Sequence, residues 1–119
     1  MKLRAATRGS PLAMWQTNHI AALLDQHGYQ VEPVIVETDG DKDQVSPLHQ
    51  IGGQGIFVKE VQSCVIHGRA DFAVHSLKDL PSDTPSELVL AAVPDRGDPR
   101  DALVGSTLED LKPEARVAT

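Results

Sequence analysis

The stretch from Asp71 to Pro81 constrains the fold of this chain more than any other. Residues 72–74 form a short apolar run, which is typical of a strand buried in a parallel sheet. Four polar side chains follow before the proline: His75, Ser76, Lys78 and Asp79. Because proline disfavours both a continuing central strand and a helical residue before it, the chain is predicted to leave the sheet here.

This exit point is a candidate binding site, because open α/β sheets bind ligands at the carboxyl edge of their strands. A lysine beside an aspartate can hold an anion with one group and an N–H with the other. The alternative for Lys78 and Asp79, left open by these residues alone, is a surface turn with an incidental ion pair.

A second junction of this kind is predicted at residues 7–13, after a first strand over 3–7. Gly9 allows a bend, Ser10 suits a helix N-cap and Pro11 suits the first helical position. The helix N-terminus would present free N–H groups to an anion beside Arg8 and Ser10. The alternative is that Ser10 only caps the helix and that Arg8 is solvated.

The rest of the chain is predicted to alternate between strands and helices. The first helix is predicted to stop at Gly28 and to carry an apolar side made of Leu12, Trp15, Ile20, Leu23 and Leu24. The further predicted elements are a strand over 30–37, a lid-like loop over 38–54, a helix over 56–67, a strand over 88–93, a brief strand over 102–105, a short helix opened by Ser106 or Thr107, and the start of a strand over 115–119.

Composition excludes several classes of protein. A net charge of -6 argues against a nucleic-acid surface, and no apolar run approaches the length of a membrane span or a signal peptide. Cys64 is the single cysteine, so no internal disulfide can form and a reducing cytosol is favoured; its place in the apolar stripe of the second helix predicts a small buried hydrophobe. The five histidines lack metal-ligand spacing, so no metal is predicted; only His75 is placed at a site, with a structural hydrogen bond favoured over a metal.

Six ordered blocks of this sequence closely resemble the N-terminal part of the porphobilinogen deaminase (hydroxymethylbilane synthase) family. The blocks are Thr-Arg-Gly-Ser-Pro-Leu-Ala with Trp-Gln at 7–16, Thr-Asp-Gly-Asp at 38–41, Ile-Gly-Gly to Phe-Val-Lys-Glu at 51–60, Gly-Arg-Ala-Asp at 68–71, His-Ser-Leu-Lys-Asp-Leu-Pro at 75–81, and Asp-Pro-Arg-Asp-Ala at 98–102. The resemblance spans the whole chain, and six blocks in order are far more specific than any one of them.

The resemblance implies an α/β fold like a type II periplasmic binding protein, with a mixed sheet flanked by helices and truncated here. It implies an incomplete domain 1 over 1–93, a hinge over 94–101 and the beginning of domain 2 over 102–119. The family's covalent dipyrromethane cofactor is carried by a cysteine of a third domain, which Cys64 does not match. The full-length family enzyme is expected to be a cytoplasmic monomer of heme biosynthesis, and this piece is expected to be inactive alone.

The family reaction condenses four porphobilinogen molecules head to tail and releases ammonia at each step. Both the loss of ammonia from the aminomethyl group, which leaves its methylene carbon as the electrophile, and the attack by the next pyrrole place positive charge on pyrrole nitrogens, which a carboxylate between the rings would stabilise. Asp79 matches the family's catalytic aspartate. The matching binding positions are Arg8, Ser10, Lys78, Ser76 and Gln16.

Two departures accompany the resemblance. Gln50 and Gln54 stand where many members have lysines in the lid loop, which leaves the lid's part in binding open. The arginine-rich block that follows in the family is absent from these residues. The rival hypothesis is a non-enzymatic half-cleft that binds a small carboxylate, and a third is a degenerate fragment with no activity.

Overall fold

The computed structural model describes residues 1–37 and 58–118. Its elements are strand β1 (Lys2–Thr7), helix α1 (Pro11–Asp25), strand β2 (Gln30–Ile35), helix α2 (Lys59–Ile66), strand β3 (Phe72–Ala73) and a 3-10 turn (Leu77–Asp79). The predicted lid loop, including Gln50 and Gln54, lies outside the described residues.

The strands form one parallel sheet in the order β2-β1-β3. Thr7 pairs with Ile35 on one side of β1, and Ala6 pairs with Ala73 on the other. Parallel neighbours require crossover connections, and α1 is the crossover from β1 to β2. The predicted α/β class is therefore confirmed, and all three strands end at the same edge of the sheet.

Helices cover both faces of β1. Successive strand residues point to opposite sides of the sheet, so neighbouring residues of β1 contact different helices. Ala6 packs in a buried cluster with Val61 and Cys64 of α2. Thr7, on the other side, bonds to Thr17 of α1. Cys64 is fully buried, which confirms its prediction as a small core residue.

The signals at the helix ends act as predicted. Ser10 is the N-cap of α1, and its hydroxyl accepts a hydrogen bond of 3.3 Å from the N–H of Ala13. Gly28 and Gly68 follow α1 and α2 with φ angles of +80° and +68°, a conformation that costs other residues a steric penalty.

The predicted apolar side of α1 is only partly right, because Ile20 and Leu24 are half-buried but the other three residues are not. Leu12, Trp15 and Leu23 are exposed, and Trp15 stacks its ring on His19 with centroids 5.5 Å apart. The side that faces the sheet carries Ala13, Thr17, Ile20 and Leu24, at helical spacing. Thr17 is the buried residue at the centre of this side. Because threonine is polar, the apolar pattern of the sequence pointed to a side of the helix rotated by part of a turn from the one that is buried.

The predicted elements after the 3-10 turn are not formed in the described residues. Residues 88–93, 102–105 and 115–118 contain no strand, and the predicted helix near Thr107 is a single turn over 108–110. A strand is stabilised by a ladder to a neighbour, and no described strand pairs with these segments. Smaller differences are the ends of β2 at Ile35 and of β3 at Ala73, and the start of α2 at Lys59.

Candidate active site

The candidate active site lies where β1 and β3 end side by side. The N–H of Val74 donates to the carbonyl of Ala6 at 3.0 Å, so the two strands leave the sheet together. Arg8 follows β1, and His75 to Asp79 follow β3. This juxtaposition brings two of the family blocks, which are far apart in the chain, to one edge.

Ser76 and Gln16 are in direct contact. The hydroxyl of Ser76 donates a hydrogen bond of 3.0 Å to Oε1 of Gln16, which links the end of β3 to the side of α1. Ser76 begins the 3-10 turn, but its side chain does not cap that turn. Both side chains are half-buried. Two predicted site residues, 60 positions apart, therefore form one polar contact.

A 3-10 turn holds Lys78 and Asp79. The N–H of Asp79 donates to the carbonyl of Ser76 at 3.0 Å, and Pro81 follows the turn. Asp79 is half-buried whereas Lys78 is exposed. Within the described residues no ion pair joins them, so the incidental ion pair considered from the sequence is not formed.

His75 feels the opposite charges of Arg8 and Asp79. Burial is the main cause that lowers the pKa of His75; the carboxylate of Asp79 raises it and the guanidinium of Arg8 lowers it further. The net direction is downward, so the imidazole is neutral at neutral pH. Its Nε2 atom is buried and has no hydrogen-bond partner among the described residues. The structural hydrogen bond expected from the sequence is therefore not made by this nitrogen.

Ser10 and Arg8 lie at the mouth of α1. The hydroxyl of Ser10 caps the helix, which confirms the capping interpretation, and a hydroxyl that accepts one hydrogen bond can still donate its proton. Arg8 is half-buried immediately after β1. Gly9 separates them close to the end of β2: a Cβ atom there would lie 3.3 Å from Cγ2 of Ile35.

Two contacts beneath the site were missed by the sequence analysis. The hydroxyl oxygens of Thr7 and Thr17 are 2.8 Å apart, fully buried between β1 and α1. Arg4 pairs with Asp71 across β1 and β3, with Nη2 and Oδ1 2.9 Å apart, and the main-chain N–H of Arg4 donates to Oδ2 at 2.7 Å. The pair lowers the pKa of Asp71 and raises that of Arg4. Opposite charges directly before the apolar residues of both strands were the available signal for the second contact.

The described residues offer cations and hydrogen-bonding groups for an organic anion. Arg8 and Lys78 are the two cations of the site, and Ser10, Gln16 and Ser76 are its neutral polar residues. Across residues 1–37 and 58–118, no three or more side chains of His, Cys, Asp or Glu gather where they could hold a metal ion. None of the helices in these residues is long and apolar enough to cross a membrane.

The arrangement is that of an α/β domain with a candidate site for an anion at the carboxyl edge of its sheet. The family model for "Porphobilinogen deaminase, dipyromethane cofactor binding domain" matches residues 3–119, and the chain belongs to this family.

Several curated relatives bear the name porphobilinogen deaminase. The protein from a Nitratiruptor species is 51% identical over 122 aligned residues, which cover 100% of this chain and 39% of that protein. The protein from Sulfurimonas denitrificans is 46% identical, with 92% of this chain and 36% of that protein covered. The protein from Geobacter sulfurreducens is 43% identical, with 99% and 38% covered. The chain thus spans about two fifths of the length of these relatives.

Proposed function

We propose that the native protein carrying this chain is a hydroxymethylbilane synthase, a transferase that joins four porphobilinogen molecules into a linear tetrapyrrole and releases ammonia. The observation that carries the proposal is the convergence of Arg8 and the His75–Asp79 segment at one sheet edge, within a chain of the deaminase family. The proposed setting is porphyrin and heme biosynthesis in the cytoplasm, by a monomer.

Asp79 is the proposed catalytic residue. Its carboxylate is half-buried on a hydrogen-bonded turn, so it is held in place and partly shielded from water. There it would accept N–H hydrogen bonds from two neighbouring pyrroles and stabilise the positive charge that develops as ammonia leaves. Partial exclusion of water makes such a charge interaction stronger than it would be in bulk solvent.

The remaining site residues are proposed to bind and orient the pyrrole acids. Arg8 and Lys78 would hold the acetate and propionate groups as charge-assisted partners, and Ser10 would donate its hydroxyl proton. Ser76 and Gln16 are already bonded to each other, so their role is to present the amide N–H₂ of Gln16 in a fixed orientation. Fixed donors reduce the entropy lost when the ligand is ordered.

A dipyrromethane cofactor fits this donor set. It has pyrrole N–H groups for a carboxylate such as Asp79 and carboxylate side chains for cations such as Arg8 and Lys78. When bound, it supplies the pyrrole end to which substrate units are added. Cys64 is fully buried among apolar side chains, which supports the view that it does not carry the cofactor.

The finer architecture is also proposed from the family. Residues 1–93 would form part of domain 1 of a two-domain cleft like that of type II periplasmic binding proteins, 94–101 its hinge, and 102–119 the start of domain 2. The hinge segment contains an ion pair between Asp98 and Arg100, which lowers the pKa of Asp98 and raises that of Arg100.

Replacement of Asp79 tests the proposal. Asp79→Asn in the native protein keeps the shape and removes the charge, so kcat for porphobilinogen consumption should fall by about 10²-fold to 10³-fold at an unchanged melting temperature. Asp83→Asn is the matched control, because Asp83 is exposed four positions further along. Equal rates for the two variants would contradict the role of Asp79. A second arm is the 119-residue chain alone, which should form no hydroxymethylbilane.

The non-enzymatic carboxylate-binding half-cleft predicts a different result. A mere binder would consume no porphobilinogen and would lose little affinity for a small carboxylate on Asp79→Asn. The curated relatives reported above are named as deaminases, which favours the enzyme over this alternative.

A further inference from the structure

The Nε2 atom of His75 is a buried polar atom without a hydrogen bond in the described structure. Such atoms are rare in folded proteins, because the lost hydration is not replaced. A binding function is one of the reasons for which a fold retains such an atom. The position of His75, directly before Ser76 and near Arg8 and Asp79, puts this atom at the edge of the sheet that carries the candidate site.

The charged groups that act on His75 decide which partner suits it. Arg8 acts on His75 with a positive charge and Asp79 with a negative one, and the imidazole is itself half-buried. A second cation beside Arg8 would be repelled and poorly solvated. A neutral imidazole instead offers one N–H donor that adds no like charge. The imidazole can therefore bind the same anion as Arg8 without the charge repulsion and desolvation that a lysine at this position would incur.

We propose that His75 is a specificity-determining residue whose Nε2–H binds a carboxylate oxygen of the pyrrole acid that Arg8 also binds. The inference rests on the proposed function, since it takes the pyrrole acid from there. A carboxylate has two oxygens with about four lone-pair sites, so one arginine leaves room for a second donor. Asp79 remains available for pyrrole N–H groups. The shared chemistry is that of a pyrrole carboxylate, whether in the incoming substrate or in the cofactor.

The proposal has two consequences of opposite sign. Among the described residues, Nε2 has no hydrogen-bond partner in the absence of ligand, so replacing the imidazole by an apolar side chain of similar size should not lower stability. In the complex the same replacement removes a hydrogen bond to a charged group, so binding should weaken. If His75 were purely structural, the same replacement would lower the stability of the ligand-free protein and leave binding unchanged.

The test uses the native protein with His75→Leu and His75→Gln. Relative to wild type, His75→Leu should raise the KM for porphobilinogen about tenfold, equivalent to 1.4 kcal/mol, with kcat changed much less. His75→Gln places an amide N–H₂ near the former Nε2 and should restore KM to within about threefold. Protein made in a host without porphobilinogen should show a melting temperature for His75→Leu equal to or above wild type.

The source of the carboxylate is read from cofactor content, measured by an Ehrlich-type colour reaction. Normal content with a raised KM assigns the bond to the substrate; reduced content in His75→Leu, restored in His75→Gln, assigns it to the cofactor. A lower ligand-free melting temperature with normal content and KM would overturn the proposal, as would failure of glutamine to restore binding. If His75→Leu does not fold, His75→Asn replaces it, because its amide is one bond too short to reach the Nε2 position.

Failure of the proposed function gives a distinct result. A wild-type protein that neither consumes porphobilinogen nor gives the colour reaction would reject the synthase itself. A wild-type protein that is active, with a His75→Leu variant of unchanged KM and cofactor content, would reject only the role of His75.

Discussion

The described chain has two parts that differ in structure, a first half up to Asp79 and a second half over residues 80–118. In the described residues up to Asp79, three strands and two helices bury Ala6, Val61 and Cys64 completely. Beyond the 3-10 turn, residues 80–118 form no strand or helix, no apolar side chain there is fully buried, and most are exposed. Val89 and Val104 are 82% and 92% exposed.

The difference shows that apolar runs become strands only when a neighbour completes the ladder. β1 is paired on both sides, and its central place comes from the crossovers that return β2 and β3 beside it. The run over 88–93 is more apolar than β1 but has no described strand next to it. The candidate site residues that the structure describes all lie in the first half.

The largest effect is expected when a charged residue is introduced into each half in turn and the stabilities of the two variants are compared. Val61→Asp in the 119-residue chain places a carboxylate at a fully buried position of α2, and an uncompensated buried charge should lower the free energy of unfolding by more than about 3 kcal/mol. Val104→Asp is the matched control and should change it by less than about 0.5 kcal/mol. Urea unfolding followed by circular dichroism measures both. A large effect of Val104→Asp would mean that the second half is packed in solution.

The sequence predicts best those features that are decided within one turn. Ser10 with Pro11 starts α1, and Gly28 and Gly68 follow the helices with positive φ, because capping depends on immediate neighbours. The strand over 88–93 was wrong because pairing is non-local. The inward side of α1 was only partly predicted, because a polar residue, Thr17, lies at its centre and forms a hydrogen bond to Thr7 of β1, ten residues earlier.

The site was predictable as a set of positions and only partly as an arrangement. The rule that parallel strands end at a common edge brings Arg8 and Asp79 to one place, and the family resemblance supplies their roles. The bond between Ser76 and Gln16 depends on how far α1 rotates over the sheet, which no local pattern specifies. The unpaired Nε2 of His75 could not be predicted from the sequence. Whether this atom has a partner depends on the positions of all the neighbouring groups, and none of those described forms a hydrogen bond to it.

Two threonine substitutions, one in each half, should give a smaller difference in the free energy of unfolding. Thr17→Val keeps the shape but removes the buried hydroxyl that bonds to Thr7, so it should lower the free energy of unfolding by about 1–2 kcal/mol. Thr107 bonds to Asp110 on the surface of the second half, where water can replace the contact. Thr107→Val should therefore cost less than about 0.5 kcal/mol. Equal costs would contradict the assignment of the cooperative core to the first half.

The smallest effect is expected from two exposed ion pairs that differ in chain separation. Arg4 and Asp71 are 67 residues apart and join β1 to β3, whereas Asp98 and Arg100 are two residues apart and can pair in the unfolded chain as well. Only the first pair should make the aspartate pKa lower in the folded state than in the unfolded state. Its contribution to stability is then present above the ordinary aspartate pKa and is lost as the pH falls through the lowered folded value.

Asp71→Asn should accordingly have a lower urea midpoint than wild type at neutral pH, and the two midpoints should converge as the pH falls below about 4. Asp98→Asn should follow wild type at every pH, although the pKa of Asp98 is also lowered by its partner. Raising the salt concentration should shrink the Asp71→Asn difference, because both partners are exposed. A pH-dependent difference for Asp98→Asn equal to that for Asp71→Asn would show that the second half is ordered cooperatively with the sheet.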